Sequence, residues 1–346
     1  MPRFFALSAV GVAILAAIGL GQQASTGGPY KLLRTAKVGG VGGFDYVYAD
    51  AAGRRLYVPR PFGTAAHISV FNLDTLEPVG EIPNANARGV AVDPKSNHGF
   101  ASSKPVVMFD TKTLATIKTI DVEGGPDGIL FDPFNERVWV FSHHAPNATV
   151  INAIDGSVAG TVDLGGAPEQ AVTDGKGHLY VDIEDKDNIA VVDAKTLTTT
   201  AHYDLGGKGG GPGALAFDPE NHILFAACHD PATMVIINAD SGKILETLSI
   251  GKGVDAATFN PNTMEAFSSQ GDGTLTVIKE NSPTSFAVEQ NVQTAPGART
   301  STLDAKTNHI VLITAEFGPP PATPAGGRPS RGQMVPDSFS ILVVGK

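Results

Sequence analysis

One unit of order recurs seven times along the 346-residue chain, and that repetition restricts the fold more than any other feature. Each copy has a short apolar stretch ending in Asp or Asn, a Pro/Gly/Asn turn and a second strand such as LYV or VWV. A variable loop, a β-branched run, a Thr- or Gly-containing turn and a last strand follow. The copies read GFDYVYADAAGRRLYV from Gly43, ARGVAVDPKSNHGFA from Ala87, PDGILFDPFNERVWV from Pro126 and PEQAVTDGKGHLYV from Pro168. Then come PGALAFDPENHILFA from Pro212, VDAATFNPNTMEAFS from Val254 and GARTSTLDAKTNHIVL from Gly297. Aligned on one position they give Asp45, Arg88, Asp127, Glu169, Gly213, Asp255 and Arg299, spaced by 43, 39, 42, 44, 42 and 44 residues.

A period of about 40–45 residues with four short strands per unit is the signature of a propeller blade. A four-stranded sheet has two apolar faces, and neighbours arranged around an axis cover both. Asp93-Pro94, Asp132-Pro133, Asp218-Pro219 and Asn260-Pro261 stand where strands must stop. The sequence therefore predicts an all-β, seven-bladed β-propeller with four antiparallel strands per blade. The seventh unit supplies strands around Thr300, His309–Ile313 and Ser338–Val344 and lacks a fourth, which Lys31–Val38 can provide. That predicts a last blade closed by the N-terminal strand, which removes the ring's open edge.

The domain spans residues 30–346. Ahead of it, Arg3 and the apolar run Phe4–Leu20 read as a signal peptide over residues 1–21, with small residues at the cleavage site. The expected location is periplasmic or secreted, with no membrane span after removal. The hydrophobic fraction of 42% suffices for a core, and a single Cys excludes an internal disulfide framework or a Cys-rich zinc module. With 25 basic against 35 acidic residues, the net charge of −10 argues against affinity built on phosphate neutralisation, so nucleic acid ranks last among partners.

The phrases GGPDGILFDP, GAPEQAVTDGKGHLYV and GKGVDAATFNP, with TAEFGP near the end, resemble the YVTN-type repeats of the YncE-like family of exported seven-bladed propellers. The similarity spans the whole chain after the signal. It implies an exported propeller that acts as a binding platform, and no established reaction. Blade 2 departs from the pattern: Ala87-Arg88 replaces a Pro-containing start, and its second loop, Ser102–Pro105, reads as unusually short.

Blade topology puts the start of the first strand and the second-to-third-strand loop on one face, where loops on a rigid scaffold carry function. Two sets of residues meet there. The aligned ring makes Asp45, Arg88, Asp127, Glu169, Asp255 and Arg299 candidate binding residues, joined by Glu316 from the loops. Four carboxylates face two guanidiniums, leaving −2 concentrated at Asp127 and Glu169, where a cation, water or protonation must relieve it. Gly213 leaves the next place empty, and the loops above bring His143, Glu184 and His229. Of the adjacent His143 and His144, one at most points inward from a strand end. Glu169, Glu184 and His229 are candidate ligands of a divalent metal: Zn²⁺ or Mn²⁺ if imidazole takes part, Ca²⁺ if oxygen alone does. Asp127 and His143 are the candidate catalytic residues.

Cys228 beside His229 reads as packing at the end of a strand rather than a nucleophile. Gly206–Pro212 reads as a blade-to-blade connection, since it lacks a phosphate-loop pattern and a following helix. The long Pro/Gly-rich loop 317–337 reads as a flap with Arg328 and Arg331 as anion-seeking tips. The leading expectation is a platform for a small molecule or an extracytoplasmic protein. The alternative is a metal-assisted hydrolase of lactonase type at the mouth of the central channel.

Overall fold

The computed structural model describes residues 27–40, 42–61, 65–319 and 332–346. The expected signal over residues 1–21 lies outside them, as do Arg328, Arg331 and most of the loop 317–337. Among the described residues no helix is long and apolar enough to cross a membrane.

Among the described residues, twenty-eight strands form seven four-stranded sheets. Strand β1 (Lys31–Lys37) comes first in the chain. Blade 1 holds β2 (Tyr48–Asp50), β3 (Arg55–Arg60), β4 (His67–Asn72) and β5 (Pro78–Pro83). Blade 2 holds β6 (Val90–Asp93), β7 (His98–Ala101), β8 (Val106–Asp110) and β9 (Thr116–Ile120). Blade 3 holds β10 (Pro126–Asp132), β11 (Arg137–Ser142), β12 (Asn147–Asn152) and β13 (Val158–Asp163). Blade 4 holds β14 (Pro168–Thr173), β15 (His178–Ile183), β16 (Asn188–Asp193) and β17 (Thr198–Asp204). Blade 5 holds β18 (Pro212–Asp218), β19 (Ile223–Cys228), β20 (Thr233–Asn238) and β21 (Ile244–Ser249). Blade 6 holds β22 (Val254–Asn260), β23 (Glu265–Gln270), β24 (Thr274–Ser282) and β25 (Ser285–Gln293). Blade 7 holds β26 (Thr300–Asp304), β27 (His309–Thr314) and β28 (Ser340–Gly345), with β1 as its outermost strand.

The fold is the expected seven-bladed β-propeller. First strands of neighbouring blades touch in cyclic order, and β26 returns to β2. The core is seven layers, one between each pair of blades. Strand alternation makes this possible: Leu56 and Val58 pack against Ile313 and Phe339 of blade 7, while Tyr57 between them packs against Phe109 of blade 2. Each buried face is worth about 1.5–3 kcal/mol per large apolar side chain.

The repeating Asp or Asn at the end of the first strand has a plain role. Its side chain accepts the backbone N–H two or three residues on, as Asp93 does from Lys95 (2.9 Å), Asp218 from Glu220 (2.9 Å) and Asn260 from Asn262 (3.0 Å). The turn then needs a left-handed residue, supplied by Asn97 (φ 62°), His222 (φ 52°) and Met264 (φ 51°). In blade 2 the loop 102–105 is as long as the loop 143–146 of blade 3; it is β7 that is short, with four residues where β11 has six.

Ring closure is antiparallel, with Lys31 opposite Gly345 and Lys37 opposite Ser340. Two clasps flank it. Tyr30 Oη donates to Glu265, whose other oxygen lies 2.9 Å from Lys346 Nζ. On the other side of blade 7, Arg54 of blade 1 makes two 2.7 Å hydrogen bonds to Asp304. Buried Cys228, with its thiol pushed up to about 12 by burial first and then by Asp182 and Asp187, is core material.

Candidate functional site

The ring position comes just before, or at the start of, the first strand of each blade, so the topology carries seven backbone points around one axis. Glycine sets how closely two of them approach. A Cβ at Gly128 would lie 2.4 Å from the Glu169 carbonyl oxygen, so only glycine lets β10 come this near the start of β14 and bring Asp127 against Glu169. Next to Glu169, Gln170 is fixed on both sides. Its N–H donates to buried Asp182, and its Oε1 accepts from Leu215 N of blade 5 at 2.9 Å.

The charges divide into a paired part and an acidic pole. Arg88 Nη1 lies 2.6 Å from Asp45 Oδ2, and Arg299 Nε lies 3.0 Å from Asp255 Oδ2. At the pole, His143 Nδ1 lies 2.8 Å from Glu169 Oε2, and His143 Nε2 lies 3.7 Å from Glu184 Oε2. Ligand-type atoms of Asp127, His143 and Glu169 all lie within 4.8 Å of one another. His143 therefore partners the acidic excess. Contact with Glu169 raises its imidazole to about 9, against the effect of burial, so it is cationic at neutral pH. Burial first, and then the charges of Glu169 and Asp45, push Asp127 up to about 7. Protonation thus removes part of the −2 that the sequence left unbalanced.

Glu184 and His229 occupy the positions equivalent to His143 in blades 4 and 5, each just after the second strand. Glu184 opens a 3-10 turn over Glu184–Lys186. A Cβ at Gly213 would lie 2.5 Å from His229 Nε2, so the glycine gap in the ring receives this imidazole from above. The backbone of the glycine-rich connection holds it there: His229 N donates to Gly210 O at 3.0 Å, and Gly211 N donates to Asp187 Oδ1 at 2.8 Å. His144 turns outward and is exposed, its ring edge-on to His143 at 5.2 Å. Glu316 goes elsewhere. It is exposed and lies 3.6 Å from Lys37 of β1, at the outer edge of blade 7.

The residue that sequence reasoning missed is Tyr46. Its Oη donates to Glu169 Oε1 at 2.9 Å, so a side chain from blade 1 crosses the channel to blade 4. Burial first, and then Glu169, Asp127, Asp45 and Asp255 around it, keep the phenol protonated. A cavity of about 200 Å³ is lined by first-strand segments of all seven blades, Tyr46 among them. The signal was available: the position after the ring residue holds Gly89, Gly128, Gln170, Ala214, Ala256 and Thr300 elsewhere, so blade 1 alone has an aromatic ring there.

No protein-family model and no curated protein matches the chain. Among solved structures it is similar to one described as the structure of U3-55K, with a TM-score of 0.70 at 10% identity, covering 91% of this chain and 98% of that one. At that identity the likeness is one of fold. The fold and mouth together define a seven-bladed β-propeller with a polarised central opening.

Proposed function

We propose that the protein is an exported, YncE-like propeller that binds a small molecule or an extracytoplasmic protein through its loop-bearing face, at the acidic pole of the central mouth. The apolar run after Arg3 supports export, and the YVTN-type phrases support the family. The observation that carries the site is the asymmetry of the ring. Asp45 and Asp255 are matched by Arg88 and Arg299 at 2.6 and 3.0 Å, whereas Glu169 and Glu184 share the imidazole of His143 and Asp127 has the charges of Glu169 and Asp45 beside it. A ligand bearing positive charge, or a bound cation, completes that pole.

Hydrogen exchange of the full chain against a panel of small cationic, neutral and anionic compounds tests the reading. Protection is expected in the loops holding His143, Glu184 and His229 with a cationic compound. Protection confined to outer strands or to the opposite face would overturn it. Sequencing the amino terminus of protein recovered from the extracytoplasmic fraction tests export.

A second reading, a metal-assisted hydrolase of lactonase type, is favoured by one observation. Asp127 lies beside His143 and Glu169, and its carboxyl, at about 7, is in the range of a general base at neutral pH. Turnover of a lactone panel that falls about 100-fold or more in Asp127→Asn would support it. No turnover with Zn²⁺, Mn²⁺ or Ca²⁺ present would leave the platform reading alone.

A further inference from the structure

We propose that the acidic pole is a site for a single first-row transition-metal dication, held by Asp127, His143 and Glu169 with its open side toward the loops. The inference rests on the mouth being the ligand site, and it names what that site takes. It also changes the donor set expected from sequence: Asp127 and His143 join Glu169 as ligands, while Glu184 and His229 stand at the rim.

The spacing of the donors suits one shared ion. Two ligands about 2.1 Å from a shared ion lie about 3.4 Å apart in a tetrahedral arrangement and about 4.2 Å apart when opposite. The three donor atoms already fall within 4.8 Å of one another, so side-chain rotations that move them by roughly an ångström bring them to the spacing of a shared ion. They come from three separate elements: the start of β10, the loop after β11 and the start of β14. A rigid stack of blades holds these elements, which keeps the donors arranged without the ion.

Donor chemistry selects the metal class. One imidazole nitrogen among carboxylate oxygens suits Zn²⁺, Co²⁺ or Mn²⁺, whereas Ca²⁺ prefers six to eight oxygens. Tyr46 supplies outer support. By donating to Glu169 Oε1 at 2.9 Å it leaves Oε2 as the oxygen facing His143. The charge balance agrees: the imidazole of His143 is the ion-pair partner of Glu169 and Glu184, and an ion that displaces its proton replaces one positive charge by two. Three protein ligands leave a coordination position for water or for an oxygen of an anionic ligand, within reach of the rim groups.

Titration calorimetry of chelator-treated full-length protein with Zn²⁺, Co²⁺, Mn²⁺ and Ca²⁺ tests the assignment, with Co²⁺ visible absorption reporting imidazole ligation. One equivalent of Zn²⁺ or Co²⁺ is expected, with Ca²⁺ at least about tenfold weaker. His143→Gln, Asp127→Asn and Glu169→Gln should each weaken Zn²⁺ by at least about tenfold. His178→Gln, at a turn on the opposite face, should not. Circular dichroism identifies any variant that fails to fold, and the remaining two then carry the comparison. Three results would overturn the proposal: no stoichiometric binding of any transition ion, a preference for Ca²⁺, or Zn²⁺ affinity unchanged in every folded variant. None of these would touch the platform reading, which exchange protection by metal-free compounds decides separately.

Discussion

Tyr46 and Glu169 are 123 residues apart in sequence and three blades apart in the ring, yet their side chains meet across the channel at 2.9 Å. That single contact gives the mouth a floor. Above it lie the pole and its loops; below it lies the cavity lined by the first strands. Because Glu169 also meets His143, the phenol is a positioning residue for the pole.

Tyr46→Phe is expected to leave the fold intact and cost about 1–2 kcal/mol, since it removes one donor from a half-buried carboxylate. Zn²⁺ affinity should fall by about tenfold, as for other outer-sphere losses. Urea denaturation and calorimetry on the same preparation check both. Unchanged Zn²⁺ affinity in a destabilised variant would reduce Tyr46 to a structural contact.

Glu280 gives a pH dependence far from the mouth. It is 3% exposed, accepts from Asn221 Nδ2 at 2.8 Å, and is pushed up to about 7 by burial first and then by the charge of Asp218. Between its ordinary value of 4.5 and 7 the unfolded chain loses this proton before the native one does. The native state binds more protons there, so stability falls as pH rises through that window. The whole effect is at most about 3 kcal/mol. Glu280→Gln should therefore stabilise by about 1–3 kcal/mol at pH 8 and by almost nothing at pH 4, read from urea midpoints. Equal effects at both pH values would refute the assignment.

Deleting residues through Lys37 removes β1 and the Tyr30 clasp, and it exposes the edge of β28. The expected loss is several kcal/mol, larger than one exposed strand suggests, with a gain in concentration-dependent aggregation. Tyr30→Phe alone, which takes one donor from fully buried Glu265, should cost about 1–3 kcal/mol. Thermal unfolding and light scattering separate the two effects.

Cys228 should resist a thiol reagent such as DTNB in the native state and react at once in urea, because the thiolate is disfavoured by burial. Fast native labelling would reopen the nucleophile reading of Cys228 and His229.

Repetition made much of this visible beforehand. The spacing of the Asp-containing turns gave seven blades, and the missing fourth strand of the seventh unit pointed to Lys31–Val38 as the closing strand. Ring adjacency put Arg88 between Asp45 and Asp127 and Arg299 between Asp255 and Asp45; that Arg88 pairs with Asp45 and Arg299 with Asp255 is decided by side-chain geometry. Orientation was harder to read. His143 faces Glu169 while His144 faces solvent, and Glu316 turns to Lys37, because loop geometry and not strand period decides these directions. Tyr46 escaped because an inward aromatic ring looks like core until the other six positions are compared.

The closing strand belongs to blade 7, while Asp127, His143 and Glu169 belong to blades 3 and 4, on the far side of the ring. Fraying at the seam is thus separated from the pole by three blade interfaces in either direction. A sequence change that loosens or tightens the join can tune the lifetime of the native ring without disturbing the donor atoms, and substitutions at the pole can alter what is bound without loosening the join.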